Sequence, residues 1–227
     1  MIVVVGGGLV AVMAARALLD EGNSVMLTTA HAEFGFPHGG CGFWDNTVLT
    51  WPLPTLDEAV AAQIDSMITC RSQWLVKRLV HRFTDAGGTT STRVRLHREN
   101  GVLHATGTGT IPLDDVHHVI LADQDVGEPA PSAGDPLMSH TRPQRWYGAV
   151  VAGGSTVNAM LTGQRSDGTT EVWTTTAAEL DAFSTATLET MTLLWDEGRE
   201  PINAARCAQR AREAVHDLMA SGRLGDA

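Results

Sequence analysis

Lysine is almost absent from this 227-residue chain. Lys77 stands alone, and arginine supplies the rest of the basic charge. With 16 Lys and Arg against 26 Asp and Glu, the formal net charge is −10. That balance lacks the electrostatic footprint of a nucleic-acid binder, so no nucleic-acid partner is expected. Cysteine is scarce as well. Cys41, Cys70 and Cys207 are odd in number, widely spaced and form no CxxC pair, which argues against a disulfide framework and fits a reducing cytoplasm. No apolar run approaches the roughly 20 residues of a membrane span. Met1–Val5 is apolar only until three glycines interrupt it, without the basic start and long apolar stretch of a secretory signal, so a cytoplasmic location is expected. HExxH, GxSxG and P-loop patterns are missing, and so is an internal repeat. His117-His118 does not have metal-ligand spacing, because adjacent side chains on a strand point to opposite faces. No metal is expected.

What is present suits an ordinary globular core: 43% of residues are hydrophobic, enough for one domain or one domain with a small appendage. Met1–Val5 is a β-branched run of the kind found in buried parallel strands. Gly6-Gly7-Gly8 breaks it. Leu9–Glu21, rich in Ala, Leu and Met, reads as a helix ended by Gly22, and Ser24–Thr28 reads as a second strand. Strand, tight turn, helix and strand in so short a span make a βαβ unit.

Beyond it, His31–Pro54 is a long loop rich in glycine and aromatic residues, a composition that suits close backbone approach to a flat ligand. Leu56–Met67 is expected to be a short helix. Arg71–Ala86 is expected to be an amphipathic one, with Trp74, Leu75, Leu79 and Phe83 on the buried face and Gly87-Gly88 at its end. Thr92–His97 and Gly101–Thr106 alternate around the Asn100-Gly101 turn signal, as a hairpin does. Val116–Ala122 reads as a buried strand. Trp146–Ala152, Thr156–Thr162 and Thr170–Thr176 read as strands of a small antiparallel sheet, with a turn at Ser166-Asp167-Gly168. Thr190–Leu194 is a further apolar run, and Pro201–Ala220 reads as a helix with Ile202, Ala205, Ala208, Ala211, Val215 and Leu218 on one face. The fold class expected is α/β: a Rossmann-like domain with a parallel central sheet, plus a small antiparallel β excursion. Residues 1–123 and 188–227 are expected to form the dinucleotide domain, 144–187 a reduced substrate or cap subdomain, and 124–143 a linker.

Gly6-x-Gly8-x-x-Ala11 matches the dinucleotide fingerprint. The first glycine makes the tight turn, the second lets the backbone approach a pyrophosphate, and small Ala11 lets helix and strand pack closely, with Ala15 continuing that contact. The amides of Leu9 and Val10, at the positive end of the helix dipole, would face the phosphates. A bare glycine motif is weak evidence, but here it lies between a strand and a helix, with a second strand at the expected distance. The end of the second strand, where an acid would hold the adenosine ribose, carries Thr28 and Thr29 instead. Thr29 cannot make the bidentate carboxylate contact. The missing acid keeps NADP open as an alternative to FAD, although the next arginine along the chain is Arg71.

The segment VVVGGGLVAVMAARALLDEGNSVMLTT resembles the opening of the flavoprotein superfamily that includes glutathione reductase and para-hydroxybenzoate hydroxylase. ITCRSQWLVKRLVHRFTDAGG resembles that family's arginine-led helix, which implies that Arg71 approaches the cofactor. VHHVILAD is similar to its later strand and places Ala122 at the site, with Ala122-Asp123 in place of the usual ending. ETMTLLWDEGREPINAARCAQRAREAV resembles its late strand, Gly-Asp pair and closing helix, which implies that Asp196 binds the ribityl chain, with Trp195 where glycine is usual. HGGCGFWDN resembles lycopene cyclases and geranylgeranyl reductases, and the threonine ending the second strand resembles flavoproteins that modify tRNA wobble uridine. The resemblance implies an FAD-dependent oxidoreductase acting on a small molecule. It also places Gly39, Gly40, Cys41 and Gly42 along the pyrophosphate or ribityl side.

Catalytic groups are sparse. His38 and Cys41 could serve as proton donor, redox thiol or covalent flavin link, but the plainer reading is a loop histidine and a small buried hydrophobe. Trp44, Trp51, Trp146 and Tyr147 could stack on a flat ring, and singly each is more often packing. Two other functions stay open: an NADP-dependent reductase, and a non-catalytic nucleotide-binding subunit or sensor. Assembly as a homo-oligomer or with a partner subunit is equally open.

Overall fold

A computed structural model describes residues 1–36, 41–45, 62–64, 67–122, 133–137, 143–153, 159, 161–182, 185–196 and 204–224. The chain divides into two compact units. The first comprises Met1–Pro37, Val76–Ser139 and Cys207–Ala227, and the second His38–Leu75 and His140–Arg206. The sequence reading puts 38–75 and 188–206 with the dinucleotide part; here they fall in the second unit.

The first unit is built on a parallel sheet. Strand β1 (Ile2–Val5) lies between β2 (Val25–Thr29) and β9 (His118–Leu121). β6 (Thr89–Thr92) extends the β2 side and β10 (Asp135–Pro136) the β9 side, giving the order β10-β9-β1-β2-β6. β10 lies inside the segment expected to be a linker. Helix α1 (Leu9–Asp20) buries Leu9, Ala11, Val12, Met13, Ala14, Ala15 and Leu18. It stops at Gly22, whose φ of 86° suits a residue without a Cβ, and the Asn23 amide donates back to the Leu18 carbonyl.

The sequence reading joins Thr92 to the next strand, but the chain breaks there. Arg93 takes a left-handed φ of 58° and ends β6, so the hairpin strand starts afresh as β7 (Val94–Glu99) and pairs with β8 (Val102–Gly107). Asn100 and Gly101 both have positive φ, as the expected two-residue turn requires. Val94 and Leu96 of the hairpin join Val3, Met26, Val119 and Leu121 in one apolar cluster.

Helix α2 (Ser72–Asp85) buries Leu75, Val76, Leu79 and Phe83. Trp74, expected on that face, is 43% exposed, because it precedes Leu75 by about 100° of helical turn. The last helix, Ala204–Ala220 (α4), buries Ala205, Cys207, Ala208, Ala211, Val215 and Leu218 as expected; Ile202 lies outside the described residues.

The second unit carries two antiparallel sheets. β3 (Phe43–Asp45), β5 (Met67–Thr69) and β4 (Ala62–Ile64) form one, in the order β3-β5-β4. The described part of the expected Leu56–Met67 helix is thus extended; pairing of Ala62–Ile64 with Met67–Thr69 overrides its weak helical pattern. β11 (Pro143–Val151), β12 (Leu161–Gln164), β13 (Thr170–Thr174) and β14 (Thr187–Asp196) form the other, in the order β12-β13-β11-β14. The short helix α3 (Ala177–Asp181) is capped by the Thr176 hydroxyl, which accepts from the Glu179 amide.

Candidate functional site

In the first unit, the glycine turn joins β1 to α1 at the carboxyl edge of the parallel sheet. β1 is also where the strand order reverses, with β2 on one side and β9 on the other. Open α/β sheets bind ligands at such a switch point. Gly6 has a φ of 155° and donates its amide to the Thr28 carbonyl at 2.8 Å. Gly8 is the N-cap of α1, and the first turn of the helix carries no acidic residue. The first amides of a helix have no carbonyl partner within it and stand at the positive end of its dipole, so this position favours an anion. Leu9 and Ala11 are buried, and Val10 is partly exposed.

Thr29 closes the turn from below. A Cβ on Gly7 would lie 2.9 Å from the Thr29 Oγ1, so the middle glycine is required for close approach and not for its φ. Thr28 is fully buried, and its Oγ1 has no hydrogen-bond partner. Across the sheet, the Ala122 amide donates to the Val5 carbonyl at 2.9 Å. Gly6, Gly8, Leu9, Val10, Ala11, Thr28, Thr29 and Ala122 therefore belong to one sheet edge. Sequence reasoning missed Arg93, whose amide donates to the His31 carbonyl at 2.9 Å. Only the parallel pairing of Thr29 with Thr92 brings it there.

The remaining nominated residues belong to the second unit. His38, Gly39, Gly40 and Trp51 lie outside the described residues. Cys41 is buried, its Sγ 3.9 Å from the Phe43 carbonyl. Gly42 is locked in place. Its amide donates to the Glu171 Oε1 at 2.9 Å, its carbonyl accepts from the Cys70 amide, and a Cβ would stand 2.0 Å from the Cys70 carbonyl oxygen. Arg71 reaches Asp167, with its Nη2 at 2.9 Å and its Nε at 3.1 Å, and lies over the Trp74 ring at 5.5 Å. Burial works to raise the Asp167 pKa, but hydrogen bonds from Thr169 and Arg71 outweigh it and bring it down to about 2. Tyr147, half-buried on β11, pairs with Thr174 and Thr192. Asp196 ends β14 opposite Pro143, four positions along that strand from Thr192.

A charged cluster that the sequence did not signal lies here too. Arg165 and Glu171 form a buried ion pair, with side chains 3% and 0% exposed. Glu171 Oε1 also accepts from the Trp173 Nε1 at 2.7 Å. Next to them the Cys70 thiol is pushed up to about 12, mainly by burial and further by the Glu171 charge. Spacing gave one faint clue: Glu171 and Trp173 are two apart on a strand and so share a face. Among the described residues, no group of three or more His, Cys, Asp or Glu could hold a metal, and no helix is long and apolar enough to cross a membrane.

The parallel sheet, its switch point and the glycine turn define a Rossmann-type dinucleotide-binding fold with an added antiparallel part. Solved structures share it. A geranylgeranyl bacteriochlorophyll reductase-like protein from Thermoplasma acidophilum aligns with a TM-score of 0.58 at 12% identity, over 98% of this chain and 79% of that one. An L-amino acid deaminase from Proteus myxofaciens aligns with a TM-score of 0.58 at 10% identity, over 96% and 90%. A flavoprotein/dehydrogenase from Cytophaga hutchinsonii aligns with a TM-score of 0.53 at 13% identity, over 96% and 78%. No protein-family model matches the chain, and no curated protein does.

Proposed function

We propose that the chain is an FAD-binding oxidoreductase acting on a small molecule. The observation that carries this reading is the glycine turn at the switch point of the parallel sheet, opening a helix whose first turn holds no carboxylate. The residues there fit a dinucleotide. Gly6 and Gly8 and the amides of Leu9 and Val10 hold the pyrophosphate, Ala11 keeps helix and strand close, and Thr29 meets the adenosine ribose from the end of β2. Ala122, at the end of the neighbouring strand, completes the same sheet edge. FAD supplies the hydride chemistry when bound; the protein supplies binding, orientation and exclusion of water. The flavoprotein among the similar structures favours FAD over other dinucleotides.

The test is a thermal-shift comparison of FAD, NAD and NADP on the full chain, because a ligand that binds only the folded state raises the melting temperature. FAD should give the largest rise, and the purified protein should carry flavin absorbance. Colourless protein whose melting point FAD does not move would sink the proposal. A rise with NADP alone would support a reductase instead. That second reading is favoured by Thr29 in place of an acid and by Arg93 beside His31.

A further inference from the structure

Phe36 is 52% exposed, although phenyl rings are ordinarily withdrawn from water. Its backbone is fastened to the glycine turn: the Gly35 amide donates to the Gly7 carbonyl at 2.7 Å, and the Phe36 carbonyl oxygen lies 3.4 Å from where a Gly7 Cβ would sit. His31 braces the ring edge-on, with centroids 5.9 Å apart and planes at 75°. His31 is itself held at both ends of its backbone. Its amide donates to the Thr29 Oγ1 at 3.3 Å, and its carbonyl accepts from Arg93. An exposed aromatic face is thus fixed to β2, β6 and the glycine turn together.

The order of groups along a dinucleotide gives this face a role. A pyrophosphate at the start of α1 puts the adenosine ribose by Thr29, and the next group outward is the adenine ring. Thr29 offers one hydroxyl where a carboxylate would grip the ribose, so binding at this end must come from elsewhere. A base needs only a flat face to stack on. We infer that Phe36, braced by His31, is the platform on which the adenine ring of the bound dinucleotide stacks. The inference rests on the FAD reading above and names the residues that would hold its adenosine end.

Calorimetric titration of the full chain, freed of bound nucleotide, with ADP and with FMN tests it. Phe36→Ala should weaken ADP binding about tenfold, as loss of a stacked base does. FMN has no adenine, so its affinity should not change. Phe36→Tyr, which keeps the ring, should keep ADP affinity. If Phe36→Ala does not fold, Phe36→Leu makes the same comparison. Unchanged ADP affinity in the ringless variant would overturn the inference, and so would a parallel loss of FMN affinity. If the wild type takes up FAD while these variants bind ADP normally, the platform alone fails. If the wild type binds neither FAD nor ADP, the FAD reading fails and the platform with it.

Discussion

Among the described residues, Thr28 and Thr29 are the buried polar side chains of the first unit, and its β1, β2 and β9 strands otherwise bury Ile, Val, Leu and Met. The second unit buries Thr69, Ser72, Thr174 and both members of the Arg165–Glu171 pair. One unit is held by apolar burial between helix and parallel sheet, which is non-directional. The other depends on a carboxylate that must satisfy an arginine, an indole and a loop amide together. Apolar burial degrades gradually when atoms are removed, whereas a buried charge left alone fails abruptly.

The sharpest way to break that contrast is Glu171→Ala. It strands the Arg165 charge, the Gly42 amide and the Trp173 indole N–H, and should cost about 3–5 kcal/mol in a urea unfolding series. Glu171→Gln keeps an acceptor for the two N–H groups and should cost less. A loss below about 1 kcal/mol for the alanine variant would show that the pair holds nothing. In the other unit, Leu27→Ala removes a fully buried side chain of β2 and should cost about 2–5 kcal/mol by the same measurement.

Two pH effects belong to the second unit. The Cys70 thiol ionises near 9.0 when exposed and near 12 in the folded chain. The folded state therefore binds more protons than the unfolded state between those values, and stability is full below pH 9.0 and falls as pH rises towards 12. Cys70→Ala should flatten that alkaline slope, and at pH 8 the native thiol should resist iodoacetamide until the chain unfolds. The smallest effect is at Asp167, with a pKa of about 2 against 3.8 for the free group. Its stabilisation is present above 3.8 and is lost as pH falls towards 2. The Arg71–Asp167 pair is more than a third exposed, so screening should keep the loss under about 1 kcal/mol in an acid titration of wild type against Asp167→Asn.

The two units also differ in how far their sequence could be read. The turn at Gly6–Ala11, strand β2 and the Asn100-Gly101 hairpin are written in neighbouring residues, where apolar period and turn chemistry act locally. Arg93 shows the limit: nothing in Thr92–His97 announces a left-handed residue that divides it between two sheets. In the second unit the decisive contacts are distant. Glu171 meets Gly42 across 129 positions, and Arg71 meets Asp167 across 96. Such partners follow from the assembled fold, and nothing in the residues around Arg71 announces Asp167 as the carboxylate it meets.

The division of the chain has a consequence in time. Strand β1 is made well before its partner β9, which emerges more than a hundred residues later, after His38–Leu75 has left the ribosome without the His140–Arg206 segment it belongs with. Closing such long loops is slow compared with local hairpin formation. For much of synthesis the nascent chain therefore exposes β-branched strand edges and an early segment whose partner residues do not yet exist. Aggregation during translation, and its relief by chaperones that shield apolar strands, should respond to elongation rate more strongly than to any single contact in the finished molecule.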